Sequence, residues 1–365
     1  MKTLCIAGKN NIAVDILDFV SENFNLAIKV VLNKTDNGKN NFQKSLKLAA
    51  EKKKIEIVNL EDLYTIENLF FISLEFDRLI IPEKFSSKNL FNIHFSLLPE
   101  FKGMYTSALP ILLGKKYSGV TLHEIDAGID TGDIIDQRRI EILPNYTSRD
   151  LYLKYIQVGT ELVKINLPDL LNMNYKKYQQ PYENSTYFSK KSLNFQNLEV
   201  DFNSTAYQVV NQLRAFSFRE YQLPKLFDKR IYKWEVLSEK SNKNKKLIEF
   251  ECENYAIINT IDFKVKLFFD FYEQLWESCK RNDTNSIKKY LNYIDDINLR
   301  SNEGLNALMY SVANGCLEAV ELLVSHGADI NTLDYDGKSV LDYAEENSQK
   351  NNGERILSFL KLIKK

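Results

Sequence analysis

The sequence predicts an α/β fold followed by a small β-rich region and a helical repeat unit. Three observations carry that expectation. Over residues 1–135, short apolar runs alternate with segments whose apolar residues recur at helical spacing. Over 190–266, aromatic and β-branched runs predominate. Over 267–365, residues recur at an offset of 33. Strands separated by helices favour a parallel sheet with helices on both faces, and such sheets hold ligands beyond the carboxyl ends of their strands.

Each element follows from its residues. Residues 3–7 form a first buried strand, ended by the turn Gly8-Lys9-Asn10-Asn11. That turn is not GxGxxG, so a dinucleotide cofactor is not indicated. Residues 13–23 carry Ala13, Val14, Ile16, Leu17 and Val20 at helical spacing. Residues 27–32 are strand-like, 42–53 helical, and 55–58, 69–74, 79–80, 89–94 and 120–124 supply further strands. A long helix is expected over 149–174 from Leu151, Tyr155, Val158, Leu162 and Ile165. The stretch 175–189, with Gln179, Gln180 and Pro181, reads as a linker. The next region holds a helix at 206–216 and β-rich runs at 230–237, 247–252 and 255–261. These boundaries divide the chain into 1–189, 190–266 and 267–365.

Composition narrows the function. A chain of 365 residues points to two or three domains. Its 48 Lys+Arg against 49 Asp+Glu leave a net charge of −1, which argues against nucleic acid or an anionic membrane as partner. The basic run 243–246 reads as a solvated turn. Four scattered cysteines suit a reducing compartment, and three histidines argue against a multi-histidine metal site. No secretory signal and no span of about 18 apolar residues is seen. The expectation is a soluble, cytoplasmic protein without a metal.

The chemistry gathers between residues 89 and 135. Asn92 and His94 alternate along one strand, so both side chains project to the same side. Both precede a Ser96-Leu97-Leu98-Pro99 turn, and Asp130 sits in the loop Ile125-Asp126-Ala127-Gly128-Ile129-Asp130-Thr131-Gly132-Asp133. An amide donor, a general base and an orienting carboxylate suit acyl transfer to a nucleophile that the substrate brings. GxSxG is absent, so no serine elbow competes for that role. His94 would take the proton, Asn92 would donate to the developing oxyanion, and Asp130 would fix the imidazole tautomer.

This block resembles the catalytic core of formyltransferases that use N10-formyltetrahydrofolate. Their pattern is Asn-x-His, Ser-Leu-Leu-Pro, then Asp-x-Gly-hydrophobe-Asp-Thr-Gly-Asp, and the resemblance covers roughly 1–190, extending weakly to about 266. It implies a Rossmann-like domain with Asn92, His94 and Asp130 as catalytic residues. It also implies a folate co-substrate along Ser73, Leu74, Leu79, Ile80, Ile125, Asp126 and Asp130, and a homodimer built through the β-rich region. Within the family, the FKGMYTS stretch at 101–107 and the Gly8-Lys9-Asn10 opening are most similar to nucleotide-sugar N-formyltransferases. So are Leu213-Arg214-Ala215-Phe216 and Arg219-Glu220-Tyr221-Gln222-Leu223-Pro224. Those enzymes formylate a dTDP-linked amino-dideoxyhexose for surface polysaccharide (O-antigen) synthesis, with a C3 amine favoured here over C4. Lys9, Arg78, Lys102 and Arg219 are candidates for the pyrophosphate, with Asn10 beside them. Phe216 and Tyr221 are candidates for the base, and Tyr105 for the sugar or phosphates.

The C-terminal part resembles ankyrin repeats. Gly304 and Gly337, and Asn298 and Asn331, are each 33 apart, and Gly327-Ala328-Asp329-Ile330-Asn331 closes one complete unit at about 302–334. A degenerate unit precedes it and a partial one follows, as stack caps must. The repeats are expected to bind a second nucleotide sugar or a protein. Two alternatives remain: a methionyl-tRNA formyltransferase, and a non-catalytic ankyrin binding protein. The first needs a basic RNA-binding surface, and region 190–266 has only 14 basic against 10 acidic residues.

Overall fold

The computed structural model describes residues 2–195, 198–242, 246–349 and 352–364. Positions 243–245 of the basic run read above as a turn lie outside the described residues. The chain forms two compact units, one from the N-terminus to Lys39 with Gln43–Pro224, the other Asn40–Phe42 with Lys225–Lys365.

The first unit is built on a seven-stranded sheet. Its strands are β1 (Thr3–Gly8), β2 (Ala27–Leu32), β3 (Glu56–Ile57), β4 (Leu69–Leu74), β5 (Asn89–His94), β7 (Tyr117–Glu124) and β8 (Ile134–Glu141). They lie in the order β3-β2-β1-β4-β5-β7-β8. A separate pair joins β6 (Lys102–Gly103) to β9 (Tyr187–Phe188). The first five strands of the main sheet are parallel, as the alternation predicts. β7, however, pairs antiparallel with β5, and β8 antiparallel with β7, so the sheet is mixed. Residues 79–80 are not a strand: Leu79 is 74% exposed in the loop after β4. That two-residue apolar run is too short to pair and is left at the surface. β8 was not expected, because its IIDQRRIE sequence is largely polar and it lies on the edge of the sheet.

Strand order reverses between β1 and β4, since the chain first builds outward to β3 and then returns. The carboxyl edge there is where such sheets hold ligands. Gly8 ends β1 so close to β4 that a Cβ would lie 1.9 Å from the Leu74 carbonyl oxygen. Only glycine permits that approach. Helices α1 (Asn10–Asn23), α2 (Leu46–Lys53), α3 (Leu109–Leu112), α4 (Ser148–Leu171) and α5 (Ala206–Phe216) complete the unit. α4 starts on a capping box, in which Thr147 accepts from Asp150 N–H and the Asp150 carboxylate accepts from Thr147. Its buried stripe is Leu151, Tyr155, Ile156, Gly159, Leu162 and Val163, whereas Ile165 faces outward. α5 belongs to this unit, because buried Arg214 donates to the carbonyls of Leu143 and Tyr146. Sequence alone groups that helix with the strands that follow it, whereas the first unit runs on to Pro224.

The second unit begins with an antiparallel sheet of β10 (Lys225–Leu226), β11 (Lys229–Lys240), β12 (Ile248–Glu251), β13 (Tyr255–Asn259) and β14 (Phe263–Phe269), in the order β10-β11-β14-β13-β12. β14 was missed, although Val265, Leu267 and Phe269 alternate inward against outward Lys264 and Lys266. Three helix pairs follow: α6 (Tyr272–Lys280) with α7 (Thr284–Leu291), α8 (Ala307–Ala313) with α9 (Leu317–Ser325), and α10 (Val340–Glu346) with α11 (Gly353–Ile363). The 33-residue offset is visible in the bonds. Asn306 caps α8 and Ser339 caps α10 through their side chains. Tyr310 OH bonds Ser301, and Tyr343 OH donates to Asp334. Among the described residues no helix is long and apolar enough to cross a membrane.

Candidate active site

β5 presents Asn92 and His94 on one face, with Ser73 of β4 in register beside Asn92. On the other side, His123 of β7 is in register with Asn92. Because β7 runs antiparallel, it leaves the sheet near Phe91, and the 125–133 loop must fold back to reach the site. Asp130 does so in a left-handed conformation, with φ 54°. Its Oδ1 lies 3.4 Å from Asn92 Nδ2, and its Oδ2 lies 3.4 Å from His94 Nδ1. The Gly103 N–H donates to Oδ2 at 2.8 Å. Gly103 has φ 87°, and a Cβ there would lie 2.2 Å from the Phe188 carbonyl oxygen, so glycine is required.

Hydrogen bonds assign the protons. His94 Nε2 is 2.8 Å from the Phe101 carbonyl oxygen, which only accepts, so Nε2 carries the hydrogen. Nδ1 is then the basic nitrogen, and it faces Asp130. Phe101 therefore sets the tautomer, a role the sequence reading gave to Asp130; the carboxylate instead waits beside the nitrogen that will be protonated. His123 donates from Nδ1 to the Glu124 carbonyl at 2.7 Å, which leaves its Nε2 to accept from Asn92 Nδ2 at 3.0 Å. His123 thus points the Asn92 amide nitrogen into the site. Burial lowers the His94 pKa, against the pull of Asp130 and the Phe101 carbonyl, so the imidazole is neutral near neutrality. Burial alone would raise the Asp130 carboxyl; the neighbouring His94, His123 and Gly103 N–H outweigh it and hold the group well below the usual carboxylate range.

The stretch 175–189, expected as a linker, braces this site. Gln180 Nε2 donates to the carbonyls of Asp130 and Gly132, each at 2.8 Å. Tyr178 bridges to Ile134, and β9 pairs with β6. Thr186 Oγ1 accepts the Phe101 N–H at 2.7 Å, which steadies the residue that binds His94. Sequence offered no signal for these residues, because each acts alone across 44–85 positions.

The remaining candidates scatter. Asn10 is buried and donates to Glu75 Oε2 and Tyr152 OH, both at 3.0 Å. Tyr221 reaches the same group by bonding Gln43, which donates to Tyr152 OH. Lys9 lies half-buried above this edge, its N–H on the Leu74 carbonyl. Lys102 lies near enough to His94 to depress its pKa. Arg78 lies over the Phe76 ring at 4.9 Å, and its Nε is buried without a hydrogen-bond partner. Tyr105 donates to the Lys190 carbonyl and packs on Phe195. Arg219 is half-buried on the segment after α5. Phe216 is 5% exposed and packs in the core, so it offers no ring face to a base. Of the folate candidates, Ser73 and Leu74 are buried in β4, while Ile80 and Ile125 pack with Phe76 on the same apolar cluster. Asp126 shapes its own loop by accepting from Gly128 N–H and Thr131 OH.

A neutral histidine base, an aimed amide donor and an ionised carboxylate, set on the face of a doubly wound sheet, define an enzyme of direct acyl transfer. Residues 3–164 match the formyl transferase family, and residues 275–361 match ankyrin repeats in three copies. The chain belongs to the formyl transferase family. It is 46% identical to WlaRD, a sugar 3N-formyl transferase solved in the presence of dTDP and 5-N-formyl-THF. That likeness covers 74% of this chain and 98% of WlaRD, with a TM-score of 0.69. An N-formyltransferase from Helicobacter canadensis, solved with folinic acid and dTDP-3-aminofucose, is 42% identical over 74% of this chain and 100% of its own, also with a TM-score of 0.69. The methionyl-tRNA formyltransferase of Fervidobacterium nodosum is 31% identical over 57% of this chain and 69% of its own.

Proposed function

We propose that the protein transfers the formyl group of N10-formyltetrahydrofolate to the amine of a dTDP-linked amino-dideoxyhexose, with a 3-amino sugar favoured over a 4-amino sugar. The observation that carries this reading is Asp130 lying at 3.4 Å from both Asn92 and His94. Identity of 46% across nearly all of WlaRD supports the sugar class over tRNA. The folate supplies the formyl group. Exposed Leu79, Ile81 and Ile129, in the loops after β4 and β7, fit its flat ring, with backbone groups of those loops as hydrogen-bond partners.

His94 Nδ1 takes a proton from the amine as its nitrogen bonds to the formyl carbon. Asn92 Nδ2 keeps its bond to His123 and exchanges its long 3.4 Å contact with Asp130 for the oxygen that gains charge, an effect worth about 10²–10³ in rate for one such donor. Asp130, already ionised, stabilises the imidazolium so formed. The proton then leaves His94 for the departing nitrogen as the carbon–nitrogen bond breaks. A dimer formed through the β-rich strands, a cytoplasmic setting, a role in O-antigen synthesis and a ligand for the repeats extend this proposal.

The test is a panel assay. The full chain, N10-formyltetrahydrofolate and dTDP-linked 3-amino and 4-amino dideoxyhexoses are mixed, and mass spectrometry seeks a formylated sugar nucleotide. Product from the 3-amino sugar, lost in His94→Ala, is expected. Formylation of methionyl-tRNA with no sugar product overturns the reading.

A further inference from the structure

The mechanism above leaves unused a half-buried acid at its own edge of the sheet. Glu75 directly follows β4, at the carboxyl edge and one strand from His94: Leu74 is in register with Ile93, so Glu75 stands at the level of His94. The backbone at Glu75 is left-handed, with φ 58°, and so is that of Asn10, with φ 66°. Two non-glycine residues in this region at one edge mark a conformation that surrounding contacts must enforce. Asn33 helps enforce it, donating to the Glu75 carbonyl at 2.8 Å.

The side chain is held from one direction. Asn10 Nδ2 and Tyr152 OH donate to Glu75 Oε2 at 3.0 and 2.9 Å. Both donors are neutral, and both bind the same oxygen. No lysine or arginine forms an ion pair with Glu75 among the described residues. Lys9 acts on it only through space. A half-buried carboxylate in this state lacks a cation, and desolvation makes that costly. Burial accordingly raises the Glu75 pKa, which its two donors and Lys9 reduce only in part.

We propose that Glu75, held by Asn10 and Tyr152, is the subsite that receives the acceptor's amino group as an ammonium ion at the carboxyl edge, one strand from His94. The proposal rests on the nucleotide-sugar reading and deepens it. A primary amine on a sugar arrives largely protonated and must shed a proton before it can attack. Glu75 Oε1 takes that first proton, which converts ammonium to amine and carboxylate to carboxylic acid. His94 Nδ1 takes the second as the new carbon–nitrogen bond forms. Glu75 returns its proton to solvent once the neutral formamide leaves. The same carboxylate distinguishes an amino sugar from its hydroxyl counterpart, because only the amine supplies the missing cation.

Calorimetric titration of the full chain tests this with two ligands, a dTDP-linked 3-amino-dideoxyhexose and the sugar carrying hydroxyl at that carbon. The native chain is expected to bind the amino sugar about 30-fold or more tightly, the scale set by leaving a buried charge unpaired. Glu75→Gln keeps the shape and the donors of the site. It should abolish the preference while binding the hydroxyl sugar within about twofold of the native chain, and its kcat/KM for the amino sugar should fall in parallel. Equal affinity of the native chain for the two sugars overturns the proposal and needs no variant. A preference that survives in Glu75→Gln overturns it as well. If the native chain binds neither sugar, the nucleotide-sugar reading itself fails; if it formylates the amino sugar without preferring it in binding, only the Glu75 assignment falls.

Discussion

Asp130 and Asp334 are both aspartates fixed in tight loops, and they are held in opposite ways. Asp334, in the ankyrin region, accepts from the N–H groups of Asp336 and Lys338 and from Tyr343 OH, partners 2, 4 and 9 residues away. The Asp130 carboxylate is bound by Gly103 and Asn92 and its backbone carbonyl by Gln180, at separations of 27, 38 and 50. Every bond to the Asp334 carboxylate is short, local and neutral. Asp130 also faces two imidazoles, at 3.4 and 3.7 Å. A carboxylate serving structure is saturated by its own loop. One serving chemistry is held by distant segments, with a face kept open for the charge that will appear.

The largest expected effect tests the open face. Asp130→Asn should lower kcat by about 10²–10⁴, since it removes the partner of the imidazolium. It should also move the acid limb of the pH–rate profile to lower pH, because the Asp130 charge is what raises the His94 pKa against burial. In the native chain that limb lies below the ordinary histidine value of 6.5. The same sign governs stability. With the folded pKa of His94 below its unfolded value, the stabilisation is present above pH 6.5 and is lost as pH falls through the folded pKa. A limb that moves upward in Asp130→Asn contradicts the proton assignment.

Gln180→Ala sharpens the comparison by removing a distant brace without touching the reacting groups. Loss of about 10²-fold in kcat is expected, the cost of misplacing a group by about 1 Å, with a smaller change in KM. The pH limb should shift in the direction seen for Asp130→Asn, which simple loss of stability would not produce. Unchanged kcat would show that the loop holds Asp130 without Gln180.

The ankyrin side should answer in stability alone. Asp334→Ala strands donors in its own loop and should cost about 1–3 kcal/mol in chemical denaturation. Asn306→Ala removes the cap that accepts from Met309 N–H and should cost about 0.5–2 kcal/mol. Both variants should keep the native kcat for the first unit's reaction. A fall in kcat matching that of Gln180→Ala would erase the distinction drawn between the two regions.

Legibility followed the range of the contacts. The repeats were readable because Asn306 and Ser339, Tyr310 and Tyr343, and Gly304 and Gly337 recur at one offset and act within their own turns. Asn92 and His94 were readable because strand alternation alone puts them on one face. The brace was not. Gln180, Thr186 and Gly103 meet the site only after the chain has folded, and none belongs to a periodic pattern. The antiparallel direction of β7 was equally hidden, since a strand's own residues carry no mark of its neighbour's direction. Phe216 shows the converse error: an aromatic in a recognisable stretch became core, because α5 turns it inward.

The sequence by itself determined the residue types at the centre, their placement on one strand, and the helical repeats, because periodicity and local capping are properties of neighbouring residues. Tertiary structure alone decided which histidine nitrogen is basic. That choice belongs to the Phe101 carbonyl, brought to His94 by the turn after β5. It also decided that Glu75, an ordinary acid in the sequence, ends half-buried against Asn10 and Tyr152, with no ion pair among the described residues. Proton positions and the cost of a buried charge depend on what surrounds a group in space, and that surrounding comes into being only when the chain closes on itself.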